Sequence, residues 1–162
     1  MTDAQIPHFQ ESLEQLKARL LVMGGLAEDR VRASVQALTA SDHAALDTVL
    51  HGDEALNTLH VEIDDRCFKL LALHQPMAVD LRAIISAVKI NNDLERVGDL
   101  AVNIAEAAQR YMTHPPVKPL IDIPRMASIA QEMLRDALDA FVRRDVTLAA
   151  RVLDRDDEVD AL

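Results

Sequence analysis

The stretch Asn91-Asn92-Asp93-Leu94-Glu95-Arg96-Val97-Gly98-Asp99-Leu100-Ala101-Val102-Asn103-Ile104-Ala105-Glu106 decides the fold. It holds no proline and one glycine, and its apolar residues return every three or four positions. On a helical wheel Ala83, Ala87, Ile90, Leu94, Val97, Ala101, Ile104 and Ala108 fall in one stripe about 100° wide, as in a helix that buries one face. Asn92, Glu95, Asp99, Asn103 and Glu106 collect on the other side. The segment predicts a long helix with an apolar seam opposite a row of oxygen donors.

Working outward, this helix spans about Val79 to Tyr111. Gln75-Pro76 ends the element before it, because the residue preceding proline is pushed out of the helical region. That earlier helix starts at a cap supplied by Ser41 or Asp42 and carries Leu46, Val49, Leu56, Leu59, Ile63 and Leu70 at helical spacing. A first helix begins near Pro7, repeats Phe9, Leu13, Leu16, Leu20, Met23, Ala27, Val31, Val35 and Leu38, and breaks between Thr39 and Asp42. Three such rods joined by short loops pack up-down-up as an antiparallel bundle.

The linker signal is Thr113-His114-Pro115-Pro116-Val117-Lys118-Pro119, with three prolines. Beyond it the helical pattern restarts with Ile129, Met133, Leu134, Leu138, Phe141 and Val142. A break near Arg144-Asp145 then leads into a fifth helix running to the end. These helices repeat the first ones at an offset of 103 residues, which sets Met126 on Met23, Arg135 on Arg32, Asp145 on Asp42 and Asp156 on Asp53. The expected organisation is tandem three-helix bundles: a first over 7–112, a linker over 113–122, and a partial second over 123–162. The second has about two helices of three, so the chain reads as truncated. Leu134, Leu138, Phe141 and Leu153 are then expected to lie open and to be covered by a second chain.

Composition agrees with an all-α protein. Of 162 residues 49% are hydrophobic and 2% aromatic, which excludes a disordered chain and disfavours a sheet. A net charge of −10 repels phosphate backbones and anionic lipid, so nucleic acid is not an expected partner. The N-terminus lacks a signal-peptide pattern and no apolar run approaches a membrane span, which predicts a soluble, cytoplasmic protein without membrane insertion. Cys67, with no second cysteine to pair, reads as a small core hydrophobe.

Two readings stay open for the acidic row. Glu95 and Asp99 stand four apart, where like charges on one helix face repel. They form either a solvated face or a cation site completed by the Asn92 and Asn103 carbonyls and by Glu106. Asp53 with Asn57 repeats the spacing in the second helix, and Asp156 with Asp160 in the last. Oxygen donors suit Mg²⁺, Mn²⁺ or Ca²⁺ and accept iron or zinc. Gly98 between the carboxylates costs about 1 kcal/mol relative to Ala and admits a close neighbour or a ligand. The Gly24-Gly25 pair predicts a tight interhelical approach. No Glu-x-x-His, phosphate loop or His-x-x-x-His occurs, and no catalytic group is indicated.

The string Gln75-Pro76-x-Ala78-x-Asp80-Leu81-Arg82, followed by Asn92-Asp93-Leu94-Glu95-Arg96-Val97-Gly98-Asp99-Leu100-Ala101-Val102-Asn103-Ile104, resembles the PhoU family of phosphate-signalling regulators. Met23-Gly24-Gly25 and Asp156-Asp157-Glu158-Val159-Asp160 are similar to family segments too. The resemblance implies paired three-helix bundles and Asp/Glu-x-x-x-Asp motifs able to hold multinuclear iron or zinc. Here those map onto Glu95 with Asp99, Asp156 with Asp160, and Asp53 with Asn57, where Asn57 departs from the pattern. It further implies a non-enzymatic adaptor that negatively regulates the phosphate-starvation response. The implied partners are the ATPase subunit of a phosphate ABC transporter, a sensor histidine kinase and a second copy of the chain. The alternative is a metal-dependent enzyme or storage bundle using the Glu95/Asp99 face.

Overall fold

A computed structural model describes residues 5–52, 54–115 and 118–162. They form seven helices, α1 (Gln5–Ala40), α2 (His43–His51), α3 (Glu54–His74), α4 (Ala78–Tyr111), α5 (Asp122–Arg143), α6 (Val146–Asp154) and α7 (Asp156–Asp160), with no strand among the described residues. The all-α class read from the sequence holds.

α1 is the pivot, packing against α2, α3, α4 and α5. Its Phe9, Leu13, Leu16, Leu20, Met23 and Ala27 interlock with Leu56, Ile63, Cys67 and Leu70 of α3 and Ile84, Ala87 and Leu94 of α4. Polar links reinforce the α1–α3 contact: Arg19 pairs with Glu62, which also accepts from Arg66 Nε at 2.9 Å. The Arg19 hydrogen bond, helped by Arg66, holds the Glu62 carboxyl below its ordinary value. That contribution to stability is present at neutral pH and is lost as pH falls through the carboxylate range.

Two expected helices are each divided. The element expected from Asp42 to His74 ends at Gly52 and restarts at Glu54. Arg30 causes the stop to persist, donating to the carbonyls of Val49 and Gly52 at 3.1 Å each and so satisfying the end of α2. The last helix is likewise divided at Arg155, whose guanidinium pairs with Glu132 at 2.7 Å and Asp136 at 3.5 Å on α5.

The offset of 103 residues reappears as geometry. Ser41 and Arg144 adopt left-handed φ of 54° and 57°. Asp42 N–H donates to Ala37 O and Asp145 N–H to Ala140 O, each at 2.9 Å. The two aspartates then cap α2 and α6 by accepting from Ala45 N–H at 3.0 Å and Leu148 N–H at 2.9 Å. Removing either cap, as Asp42→Ala or Asp145→Ala, is expected to cost about 1 kcal/mol in chemical denaturation.

α5 packs on α1 rather than standing open. Leu138 is buried, and Leu134 and Phe141 pack against the main core, which corrects the expectation that all three are exposed. The Gly24-Gly25 pair explains half of this contact. A Cβ on Gly24 would collide with Leu138 Cδ1, whereas one on Gly25 would meet nothing within 4 Å. Gly25→Ala is therefore expected to stabilise the protein by about 0.5–1 kcal/mol in urea unfolding, through helix propensity alone. The side chain of Glu28, only 8% exposed, ties α1 to α5 through Arg135 at 2.7 Å. This hydrogen bond raises the guanidinium pKa.

Candidate functional site

The seam of α4 is rotated from the one the wheel suggests. Its buried residues are Ile84, Ala87, Asn91, Leu94, Gly98, Ala101, Ala105 and Ala108, spaced three and four apart. Ile90 and Val97 are only partly buried, while Asn91 and Gly98 take places inside. Gly98 is there because α3 comes close: a Cβ on it would stand 3.0 Å from Leu56 Cδ2. The glycine thus admits a neighbouring side chain.

This crossing positions the acidic row. Glu95 is half-buried beside the seam, and Asn92, Asp99, Asn103 and Glu106 are exposed. Asn57 follows Leu56 on α3, so it lies at the same crossing as Asp99, which follows Gly98. Glu106 is engaged along its own helix by Arg110 at 3.9 Å. Asp156 and Asp160 are exposed on α7, whose helix contacts are with α5 and α6, away from the α3–α4 crossing. Asp53 lies outside the described residues. Among the described residues no three His, Cys, Asp or Glu side chains converge to hold a metal ion. Glu95 and Asp99 present two carboxylates one turn apart, and a cation on them would complete its shell with water.

Asn91 escaped the sequence reading because a lone amide inside a helical pattern looks like part of the polar face. Its Nδ2 donates to His60 O at 3.0 Å and to Asp64 Oδ1 at 3.2 Å, while its Oδ1 has no partner among the described residues. The signal that could have found it is the run Ile84, Asn91, Gly98, Ala105 at seven-residue steps. Cys67 is buried as expected, and burial pushes its thiol up to about 11. The ring of His74 tilts against Phe9 with centroids 5.2 Å apart. No helix among the described residues is long and apolar enough to cross a membrane.

A family model described as "PhoU domain" matches residues 20–108 and 123–162. The chain belongs to the PhoU family. Its similarity to individual PhoU proteins runs nearly end to end. It is 41% identical over 161 residues to the "Phosphate-specific transport system accessory protein PhoU homolog" of Caulobacter vibrioides (strain NA1000 / CB15N), covering 99% of this chain and 70% of that one. It is 38% identical over 152 residues to the protein of the same description from Aquifex aeolicus (strain VF5), covering 94% and 69%. The crystal structure of PhoU from Pseudomonas aeruginosa superposes with a TM-score of 0.87 at 38% identity, covering 94% of this chain and 74% of that one. The phosphate transport system regulatory protein PhoU from Streptococcus pneumoniae gives 0.86 at 28% identity, covering 94% and 72%. These PhoU relatives are named as accessory or regulatory proteins, and the helices around α1 and α4 carry the PhoU fold.

Proposed function

We propose that this protein is a non-enzymatic adaptor of a phosphate-specific transport system, acting in the cytoplasm as a negative regulator of the phosphate-starvation response. It links the ATPase subunit of a phosphate ABC transporter to a sensor histidine kinase and keeps that kinase silent when phosphate is plentiful. The observation that carries the reading is the 41% identity to a phosphate-transport accessory protein across 99% of this chain. The physical form suits the role. α1 and α4, of 36 and 34 residues, present long rigid faces, and acidic rows complement basic patches on partner domains. The two units of the adaptor are the bundle over 7–112 and the helices over 123–162, joined by the Pro-rich linker. Purified chain should retain the transporter ATPase and the cytoplasmic part of the kinase on a column. Retention of neither would overturn the reading.

The cation reading of the acidic row belongs to the same proposal. Its ligands are Glu95 and Asp99, supported by Asn92, Asn103 and Glu106 of the same row, where Glu106 is shared with Arg110, and the pair Asp53 with Asn57. Asp156 and Asp160 form a separate pair on α7. Two carboxylates with open coordination suit a hard divalent cation best, such as Mg²⁺ or Mn²⁺, with iron or zinc as alternatives. Metal analysis of the parent beside Glu95→Ala decides the matter. Metal lost with the substitution supports the site, and equal content in both contradicts it. The enzyme or storage alternative is not favoured, since the matched relatives are named for neither activity.

A homodimer completes the proposal. Leu138, one of the residues on which that expectation rested, is buried.

A further inference from the structure

Among the described residues α3 and α4 pack against α1, α2 and each other, and neither meets α5, α6 or α7. Two contacts fix their register. Gly98 stands against Leu56, and Asn91 Nδ2 donates to His60 O at 3.0 Å and to Asp64 Oδ1 at 3.2 Å. The helices run antiparallel, so Phe68, one turn beyond Asp64, comes level with the turn of α4 that precedes Asn91. There Leu81 and Ile85 lie on the side of α4 that carries Glu95 and Asp99, all four within about 80° on the wheel. Phe68 is 64% exposed, Ile85 43% and Leu81 39%. The chain holds three Phe, one Tyr and no Trp, and both other phenylalanines, Phe9 and Phe141, pack in the main core. An aromatic ring left in water by so aromatic-poor a chain marks a contact surface.

The outer groove between the two helices has ends of different chemistry. Toward the α3–α4 turn it is apolar. Toward the Gly98 crossing it carries Asp64 and Glu95, both half-buried, and the exposed Asp99. None of these three carboxylates is in an ion pair among the described residues. Lys89 and Arg96 stand exposed at the outer rim of α4, where water screens them more than it screens half-buried carboxylates. Three negative charges exceed those of one divalent cation, so this end stays negative with a cation on Glu95 and Asp99. From Leu81 to Asp99 the groove runs about 27 Å, the length of a helix of about 18 residues. A second copy of this chain does not fit it. Laid antiparallel, the copy sets apolar ends on carboxylates; laid parallel, it sets carboxylates on carboxylates.

We propose that the outer α3–α4 groove docks an amphipathic helix of one of the adaptor's partners, apolar along one half and rich in Lys and Arg along the other. The proposal rests on the adaptor reading above and adds the surface and the chemistry of what it binds. Columns carrying the full chain, Phe68→Glu or Ile85→Glu, loaded with purified transporter ATPase or with the cytoplasmic part of the kinase, test it. Each substitution, on an exposed face, should weaken retention of the same one of the two proteins by about tenfold or more. Retention of that protein by the parent should fall as salt is raised. Leu73→Glu, 75% exposed and about 140° round α3 from Phe68, should leave retention unchanged. A parent that retains neither protein overturns the adaptor and this groove together. Retention that withstands both groove substitutions, or that ignores salt, overturns the groove and leaves the adaptor standing. Sedimentation of the parent beside Phe68→Glu checks the other occupant: self-association abolished by the substitution would put a second copy in the groove and overturn the partner helix. Circular dichroism of each variant confirms that the helices remain.

Discussion

Leu20→Ala is expected to lower the unfolding free energy by about 2–5 kcal/mol, the cost of a cavity where α1 meets its neighbours. Leu20 is fully buried, at 0% exposure, between Leu16 and Met23 in the main core. Because α1 touches four other helices, the surroundings cannot collapse into the gap without moving several of them at once. For a domain of this size the loss amounts to roughly 2–4 °C in melting temperature per kcal/mol. The adjacent Leu21 supplies the control. It is 39% exposed and turned away from the seam, so Leu21→Ala should shift the midpoint far less. Thermal unfolding followed at a helix-sensitive wavelength separates the two. Equal effects would mean that α1 does not bury the face assigned to it.

Asn91→Asp is expected to cost about 3–5 kcal/mol at neutral pH, although it changes a single NH₂ to an oxygen. Asn91 is wholly buried. Its amide nitrogen serves two acceptors, the His60 carbonyl and an Asp64 carboxylate oxygen. An aspartate there turns both hydrogen bonds into repulsions and places a second negative charge in the seam. Burial and Asp64 raise the folded-state pKa of the new carboxyl above its unfolded value near 3.9. The folded state then binds more protons than the unfolded one between those two values. The variant therefore loses stability relative to the parent as pH rises through that interval, and most of the difference disappears near pH 4. Denaturation of both proteins across this range measures it. A pH-independent deficit would show that the amide is not held between these acceptors.

The course of the helices was legible because local chemistry marks it. Asp42 and Asp145 cap their helices, Pro76 closes the one before α4, and the Pro-rich segment separates α4 from α5. What local chemistry does not mark was missed. Gly52 ends α2 in part because Arg30 reaches across from α1 to take its last carbonyls, a contact between residues 22 apart. Leu138 looked exposed because its cover, α1 at Gly24, lies across the linker. The α4 seam was misplaced by a few tens of degrees because Asn91 and Gly98 do not look like core residues. Of the candidate site, the sequence showed that Glu95 and Asp99 share a face, since helical periodicity alone requires it. Whether α3 and α7 bring further ligands to that face depends on tertiary packing. It leaves Asn57 at the α3–α4 crossing and carries Asp156 and Asp160 elsewhere.

The central claim is regulatory, and its most direct measurement is a phosphate-regulon reporter in a strain lacking the gene, grown in phosphate-rich medium. The account predicts that the reporter, silent in the parent, becomes constitutively active and is silenced again when the gene is restored. Unchanged silence in the deletion strain would contradict it.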